Sequence, residues 1–193
     1  MSTEAAPPLL SHALSAAQAA EVLSLPPAWF AVVDACDEPA VLEHLEIQRG
    51  ESVGGAPAPF QLHCLYSGDS AEQSWDIAPY VAALTPAIIQ WIADRLVDRP
   101  WGWLCQVKVE LTALRTHLKK QLYVAGPENT SMYFRFYDPR VLPGVLPTCS
   151  SHDLMHFFGP LERILLLQPG GDWRSLSLSP SLSVTRSFVM PSS

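Results

Sequence analysis

The sequence predicts an α/β protein: a mixed β-sheet flanked by helices, with a β-hairpin near the carboxyl end. Up to Asp138, short apolar segments typical of strands alternate with segments whose apolar residues recur at helical spacing. Two further strand-like segments, residues 163–168 and 173–178, then flank the turn sequence PGGD. At 193 residues the chain has the length of one domain. We place that domain at residues 15–178.

The first predicted elements are a helix, a strand and a second helix. Ser15 can cap a helix over residues 15–25, which two prolines end. The apolar segment Trp29–Asp34 predicts a strand with the aspartate at its carboxyl end. The sequence DEP at residues 37–39 suits the first turn of a helix that runs to about residue 48. We expect residues 1–14 to form a flexible arm.

Later elements are recognised by their start and stop signals. Thr85 can cap a helix whose first position is Pro86, and leucines at helical spacing from Leu111 to Leu122 define an amphipathic helix. In order, we predict a strand over 60–66, an irregular stretch over 75–84, a helix over 86–97, a strand over 101–107, a helix over 110–122, a strand over 133–137, a short turn or helix over 141–146 and a helix over 150–158. The serine-rich residues 179–193 predict a loose tail.

Composition and charge limit the classes of function. The net charge of −7, from 12 basic and 19 acidic residues, argues against nucleic acid or an anionic membrane as the main target. Charged residues make up 16% of the chain, which is typical either of a large core or of apolar surface left for a partner. The four cysteines form no CxxC pair and suit a reducing compartment. Without an apolar signal core or a membrane span, we expect a cytoplasmic protein.

The aromatic run YFRFYDPR at residues 133–140 is the most informative segment. Alternation along a strand would place Tyr133, Arg135 and Tyr137 on one face and the two phenylalanines on the other. An unpaired guanidinium is too costly to bury, so Arg135 requires an acidic partner or an exposed face. Asp34, at the end of a predicted neighbouring strand, is the candidate partner.

Sites for catalysis are poorly supported by the residue patterns. His152 and His156 lie four residues apart and could hold zinc, with Asp153 between them as a base, yet only Cys149 offers a further ligand nearby. An amphipathic helix with two surface histidines explains the same spacing. The one Gly-x-Ser-x-Gly match, GESVG at residues 50–54, follows a predicted helix, so it does not form the strand-to-helix elbow of a serine nucleophile, and the sequence has no phosphate-binding glycine loop. We therefore predict no catalytic residue, no metal and no cofactor.

The charged residues at the predicted strand ends form the remaining candidate site. An Asp34–Arg135 ion pair would be structural, whereas an exposed Arg135 or Arg140 would suit docking of a partner, because arginine and aromatic residues dominate interface hot spots. The full set of candidate residues for partner binding is Asp34, Tyr66, Tyr80, Arg135, Tyr137, Asp138 and Arg140.

The segment FRFYDPR at residues 134–140 resembles the signature of the type VI secretion effector adaptors, also called Tap or TEC chaperones, which carry the DUF4123 domain. Other segments resemble pieces of that family in the same order along the chain. They are FAVVDA at 30–35, LYSG at 65–68, APYV at 78–81, WLC at 103–105, LRTHLK at 114–119 and FFGP at 157–160.

The resemblance implies a cytoplasmic, non-enzymatic adaptor that binds a toxic effector protein and helps load it onto the VgrG spike. It also implies a helical carboxyl-terminal lobe, which we expect to be reduced or absent because the serine-rich tail follows the hairpin. Either the chain is a minimal member of the family or it is truncated. Two other interpretations stay open: a metal-dependent hydrolase using His152 and His156, and an immunity-like protein that binds a toxin.

Overall fold

The computed structural model describes residues 9–26, 28–50, 61–126, 128 and 130–179, with only the backbone described at residues 49 and 50. Its strands are β1 (Leu9–Leu14), β2 (Trp29–Asp34), β3 (Leu62–Cys64), β4 (Pro79–Ala83), β5 (Gly102–Val107), β6 (Tyr123–Ala125), β7 (Ser131–Tyr133), β8 (Leu161–Leu167) and β9 (Trp173–Leu178). Its α-helices are α1 (Ala16–Leu23), α2 (Pro39–Gly50), α3 (Asp69–Gln73), α4 (Pro86–Arg95), α5 (Leu111–Lys120), α6 (Leu142–Val145) and α7 (Ser151–Phe158). Short 3₁₀ turns lie at Trp75–Ile77 and Leu146–Thr148.

Seven strands form one sheet in the order β1-β9-β8-β5-β2-β4-β3, and β6 pairs with β7 in a separate hairpin. The predicted α/β class, the flanking helices and the carboxyl-terminal hairpin β8–β9 are confirmed. All strand pairs in the described residues are antiparallel, so strand directions are not mixed. The crossovers through α2 and α4 do join strands of the same direction, but another strand lies between each pair and restores antiparallel neighbours.

The sheet lies between two helical layers, each with its own apolar core. Along β2, Phe30 and Val32 face a core shared with α5 and α7, whereas Ala31 and Val33 face a core shared with α2 and α4. Both sets are buried, as expected for a central strand covered on both faces. β2 therefore lies in the middle layer of a three-layer structure, with helices on both sides of the sheet.

The predicted helix starts at Ser15, Thr85 and Ser150 are confirmed. Ser15 forms a capping box with Gln18, the Thr85 hydroxyl accepts a hydrogen bond from the backbone N–H of Ile88, and Ser150 accepts one from the N–H of Asp153. Each cap satisfies backbone donors that the first turn of a helix leaves unpaired.

Two segments are more regular than the sequence indicated. Leu9–Leu14, predicted as part of a flexible arm, forms the edge strand β1 and pairs with β9 along its whole length. Pro79–Ala83, predicted as irregular, forms the inner strand β4, where its proline occupies the first position and so interrupts little of the ladder. Residues 1–8 of the predicted arm and 180–193 of the predicted tail lie outside the described residues.

The aromatic run does not form the predicted five-residue strand. Pairing in β7 ends at Tyr133, and the backbone N–H of Asp138 then donates to the carbonyl of Arg135 in a turn. The indole N–H of Trp103 donates to the carbonyl of Phe136 at 2.9 Å inside the core. After the hairpin, the segment therefore enters the core, where Phe136 and Tyr137 are buried with Trp103.

The close contact between β2 and β5 depends on a glycine. Gly102 has a φ of +135°, and a Cβ atom there would lie 2.0 Å from the carbonyl oxygen of Val32. Only glycine fits such an approach.

Among the described residues, no helix has the length and apolar character needed to cross a membrane.

Candidate functional site

The candidate site is built around a buried carboxylate at the end of β2. Asp34 is fully buried, and its Oδ2 atom lies 2.7 Å from Nη2 of Arg135. The guanidinium comes from the segment that follows β7, about 100 residues later in the chain. The predicted Asp34–Arg135 ion pair is therefore confirmed, although Arg135 reaches it from a turn and not from a strand.

Two further aspartates and a second arginine extend the pair into a network. Nη2 of Arg135 lies 3.2 Å from Asp37 Oδ2 and 3.9 Å from Asp138 Oδ2. Arg140 binds Asp138 with both ends of its fork, at 2.9 Å from Nε to Oδ1 and 2.7 Å from Nη2 to Oδ2, and it also contacts Asp37. We call Asp34, Asp37, Arg135, Asp138 and Arg140 the five-residue network.

Sequence reasoning missed Asp37 in this network. Its position beside Glu38 and Pro39 suggested a role in starting a helix, and α2 does begin at Pro39. The available signal was its spacing, since Asp37 follows Asp34 by three residues and the turn between them folds its side chain back toward the same guanidiniums.

Burial and hydrogen bonding shift the aspartate pKa values in opposite directions. Burial raises the pKa of Asp34, and the Arg135 guanidinium offsets this rise only in part. The Oδ1 atom of Asp34 has no hydrogen-bond partner among the described residues. Burial also acts to raise the pKa of Asp138, but hydrogen bonds from the side chain and backbone of Arg140 outweigh it and lower that pKa. Burial therefore disfavours the charged form of Asp34, whereas hydrogen bonds favour the charged form of Asp138.

The chemistry of the five-residue network is that of charge compensation. One carboxylate oxygen from each of Asp34, Asp37 and Asp138 lies within 4.8 Å of the others, a spacing that a divalent cation could use. Two guanidiniums already contact these oxygens and balance two of the three negative charges. The network ties the end of β2 to the segment after β7 and keeps one negative charge in excess.

A tyrosine cluster joins this network to the surface. The Tyr133 hydroxyl lies 2.8 Å from that of Tyr66 and 2.9 Å from that of Tyr137, and the Tyr137 ring lies 5.6 Å from Cζ of Arg135. Two of the three predicted tyrosines, Tyr66 and Tyr137, are therefore brought together with Arg135. The third, Tyr80, lies in the other core, where its hydroxyl donates to the carbonyl of Trp75 and burial raises its pKa to about 12.

The β6–β7 hairpin exposes apolar side chains beside the tyrosine cluster. Tyr123 is 62% exposed and Met132 50% exposed, and Val124 and Tyr133 are exposed with them. We call these four residues the hairpin surface. A cavity of about 470 Å³ opens between β6 and α7, with Tyr123, Val124 and Phe157 among its lining residues. Sequence reasoning placed only Tyr133 here; the signal for the rest was a pair of short apolar segments around Gly126.

The two histidines weighed for zinc binding lie outside the five-residue network. His152 and His156 are exposed on α7, and no group of three potential metal ligands in the described part of the chain includes either. Burial raises the pKa values of the Cys64, Cys105 and Cys149 thiols, which disfavours the reactive thiolate.

Comparison with known proteins bears on the segment that carries both the network and the hairpin. A family model described as a domain of unknown function, DUF4123, matches residues 29–155, which is more than half of the chain. No curated protein and no solved structure gives a significant match. The matched residues run from the start of β2 into α7 and include the five-residue network, the tyrosine cluster and the hairpin surface. The chain therefore belongs to the DUF4123 family.

Proposed function

We propose that the protein is a cytoplasmic adaptor of a type VI secretion system, which binds a toxic effector protein and helps load it onto the VgrG spike. The sequence segments that resemble such adaptors support this proposal, and membership of the DUF4123 family is consistent with it. The single structural observation that carries it is the hairpin surface, an apolar patch on a hairpin separate from the main sheet.

The hairpin surface has the properties of a docking site for a protein. Tyrosine and methionine are enriched in protein interfaces, where they bury a large area in a few contacts. A two-stranded hairpin is marginally stable alone, but here hydroxyl contacts from Tyr133 to Tyr66 and Tyr137 hold it against the core. A surface that is held in place before binding loses less conformational entropy when a partner docks.

The cavity beside β6 suggests how an effector would bind to the protein. Aromatic and aliphatic side chains line it, including Tyr123, Phe134 and Phe157, while Lys120 and Asp153 lie at its polar part. An apolar side chain of the effector would fill the cavity and its neighbours would cover the hairpin surface. The role in loading the spike rests on the family resemblance alone.

Affinity capture tests the proposal. The tagged protein would be co-expressed with a candidate toxin and a candidate VgrG spike protein, and bound proteins would be quantified. We expect wild-type protein to capture the toxin, and the double variant Tyr123→Ser with Met132→Ser to capture at least about tenfold less, since interface anchors of this kind contribute more than 1 kcal/mol each. Ile47→Ser, at an equally exposed apolar residue on α2, is the matched control and should capture normally.

Several outcomes would contradict the proposal. Absence of toxin from the captured proteins would refute it, and so would equal capture by the hairpin variant and the Ile47→Ser control. Capture of toxin with loss of its toxicity, and no capture of spike, would indicate an immunity-like protein. Stoichiometric zinc that disappears in His156→Ala would indicate the hydrolase.

A further inference from the structure

A second candidate surface lies next to the five-residue network and shares no residue with the hairpin surface. It is a groove of about 530 Å³ between the loop after α4, the segment 139–143 and the turn between β8 and β9. Arg99, Arg140 and Arg174 line it, together with one acid, Asp98. Four prolines also line it, and their fixed backbone angles make its walls rigid. We call it the arginine groove.

The groove contributes an unpaired cation to a chain with a net charge of −7. Its lining residues carry three positive charges and one negative charge, but Glu38 pairs with Arg99, and Asp37 and Asp138 pair with Arg140, so Arg174 is the one lining arginine without an acidic partner among the described residues. The one acid is already engaged, because Oδ1 of Asp98 accepts a hydrogen bond from the backbone N–H of Gly170 at 3.2 Å. Asp98 thus supports the β8–β9 turn.

The three guanidiniums keep hydrogen-bond donors that the described residues do not use. Each guanidinium has five N–H donors. Arg99 uses Nη1 for Glu38, and Arg140 uses Nε and Nη2 within the five-residue network; their side chains are still 62% and 59% exposed. Arg174 is exposed on β9 and forms no ion pair with any described residue. Planar pairs of N–H donors match carboxylates.

We propose that the arginine groove binds an acidic segment of a partner protein, whose Asp or Glu carboxylates pair with Arg174, Arg140 and Arg99. The inference rests on the proposed function only in taking that partner to be a protein. A short acidic segment suits the groove better than nucleic acid does, because three clustered arginines can match a few carboxylates while the acidic remainder of the chain repels a long polyanion. Arg140 is already oriented by its two hydrogen bonds to Asp138, which reduces the entropy lost on binding.

Fluorescence anisotropy with a defined probe tests the inference. The probe is a fluorescein-labelled peptide of alternating Glu and Leu, and the reference probe replaces every Glu with Gln. We expect the wild-type protein to bind the acidic probe and not the reference, with affinity that falls as salt is raised. Arg174→Gln should weaken binding about fivefold, the effect of one partly exposed ion pair. This variant removes no described contact, so its fold should be unchanged. Arg95→Gln, an exposed arginine outside the groove, is the matched control.

Three results would overturn the inference. The first is equal binding of the two probes, and the second is binding that Arg174→Gln and Arg95→Gln reduce to the same extent. The third is tighter binding of a fluorescein-labelled single-stranded DNA, which would assign the groove to nucleic acid. Failure here leaves the adaptor proposal intact if Tyr123 and Met132 still govern toxin capture. Conversely, probe binding that depends on Arg174 in a protein that captures neither toxin nor spike would refute the adaptor role and keep the groove.

Discussion

At the scale of single residues, Arg135 and Arg140 illustrate how similar side chains differ in importance. Arg135 is the hydrogen-bond partner of the fully buried Asp34, whereas Arg140 pairs with Asp138. Asp138 also accepts a hydrogen bond from the backbone N–H of Arg140. A buried carboxylate that loses its cation has no replacement for that interaction. The structural role of the network is therefore concentrated in the Asp34–Arg135 pair.

We predict that Arg135→Ala lowers the free energy of unfolding by about 2–4 kcal/mol, because it leaves the Asp34 charge buried and uncompensated. Arg140→Ala should cost about 1 kcal/mol or less, since its side chain is largely exposed. Urea unfolding of the two variants measures both values. Adding Asp34→Asn to Arg135→Ala should recover part of the loss, and equal unfolding free energies for the two single variants would contradict this assignment.

The lowered pKa of Asp138 predicts a pH dependence. In the unfolded chain this carboxyl takes up a proton near its ordinary pKa of 3.8, while in the folded protein it stays ionised to lower pH. Its contribution to stability is complete above that pKa and is lost as the pH falls below it. Asp34 acts in the opposite direction, because its raised pKa favours the folded state on acidification.

We expect Asp138→Asn to be less stable than wild type at about pH 6 and to lose less stability between about pH 4 and pH 2. Urea unfolding over this pH range measures the two slopes. Asp69→Asn, at an exposed position in α3, provides the control slope. Parallel curves for wild type and Asp138→Asn would show that Asp138 is not stabilised in the folded protein.

At the scale of elements, the contact between β2 and β5 depends on the absence of a side chain at Gly102. The neighbouring backbone pairs Asp34 N–H with the Trp101 carbonyl at 2.8 Å, so this contact also fixes the end of β2 where the five-residue network begins. The geometry of the site is therefore sensitive to the spacing of two strands.

We predict that Gly102→Ala lowers the free energy of unfolding by about 3 kcal/mol, because its Cβ would collide with the Val32 carbonyl and its φ is unfavourable for alanine. Gly144→Ala is the matched control: no atom lies within 4 Å of its added Cβ, and it sits in α6. That variant should be unchanged or up to about 1 kcal/mol more stable. Thermal and urea unfolding distinguish the two, and a similar loss in both would refute the steric argument.

Elements with local signals were predictable from the sequence, and elements set by distant contacts were not. Ser15, Thr85 and Ser150 marked helix starts because their capping bonds are made within three residues. The path of residues 134–138 depends instead on Trp103, about 30 residues away, whose indole N–H holds the Phe136 carbonyl. Alternation alone could not reveal that partner.

The same distinction applies to the candidate site. The Asp34–Arg135 pair followed from the rule that a buried charge needs a partner, with Asp34 as the candidate at the end of a predicted neighbouring strand. The exposed strand pair β6–β7 and the arginine groove depend on how loops from separate parts of the chain meet. Contacts between loops that are distant in the chain produce no periodic pattern of residues in a single sequence.

At the scale of the whole molecule, the sheet is completed by the amino-terminal strand. β1 covers the edge of β9 over six residue pairs, from Leu9 with Leu178 to Leu14 with Trp173. An uncovered edge strand exposes a row of unpaired backbone groups and promotes association. β1 thus keeps β9 paired on both sides and takes the edge position itself.

We predict that a chain beginning at Ser15 is about 2 kcal/mol or more less stable and associates at high concentration, because it loses the β1 ladder and exposes β9. Urea unfolding and light scattering measure these effects. A chain beginning at Leu9 keeps the ladder and serves as the control. Unchanged stability and a monomeric state in the shorter protein would show that β1 contributes little.

The pairing of Leu9 with Leu178 also makes the protein suitable as its own sensor. Directly opposed residues of antiparallel strands have Cα atoms about 5 Å apart, so a donor and an acceptor fluorophore attached at these two residues are held within efficient energy-transfer range. Separation of β1 from β9 would abolish the transfer. Loss of the signal would therefore report, in a living cell and in real time, when β1 separates or the protein unfolds.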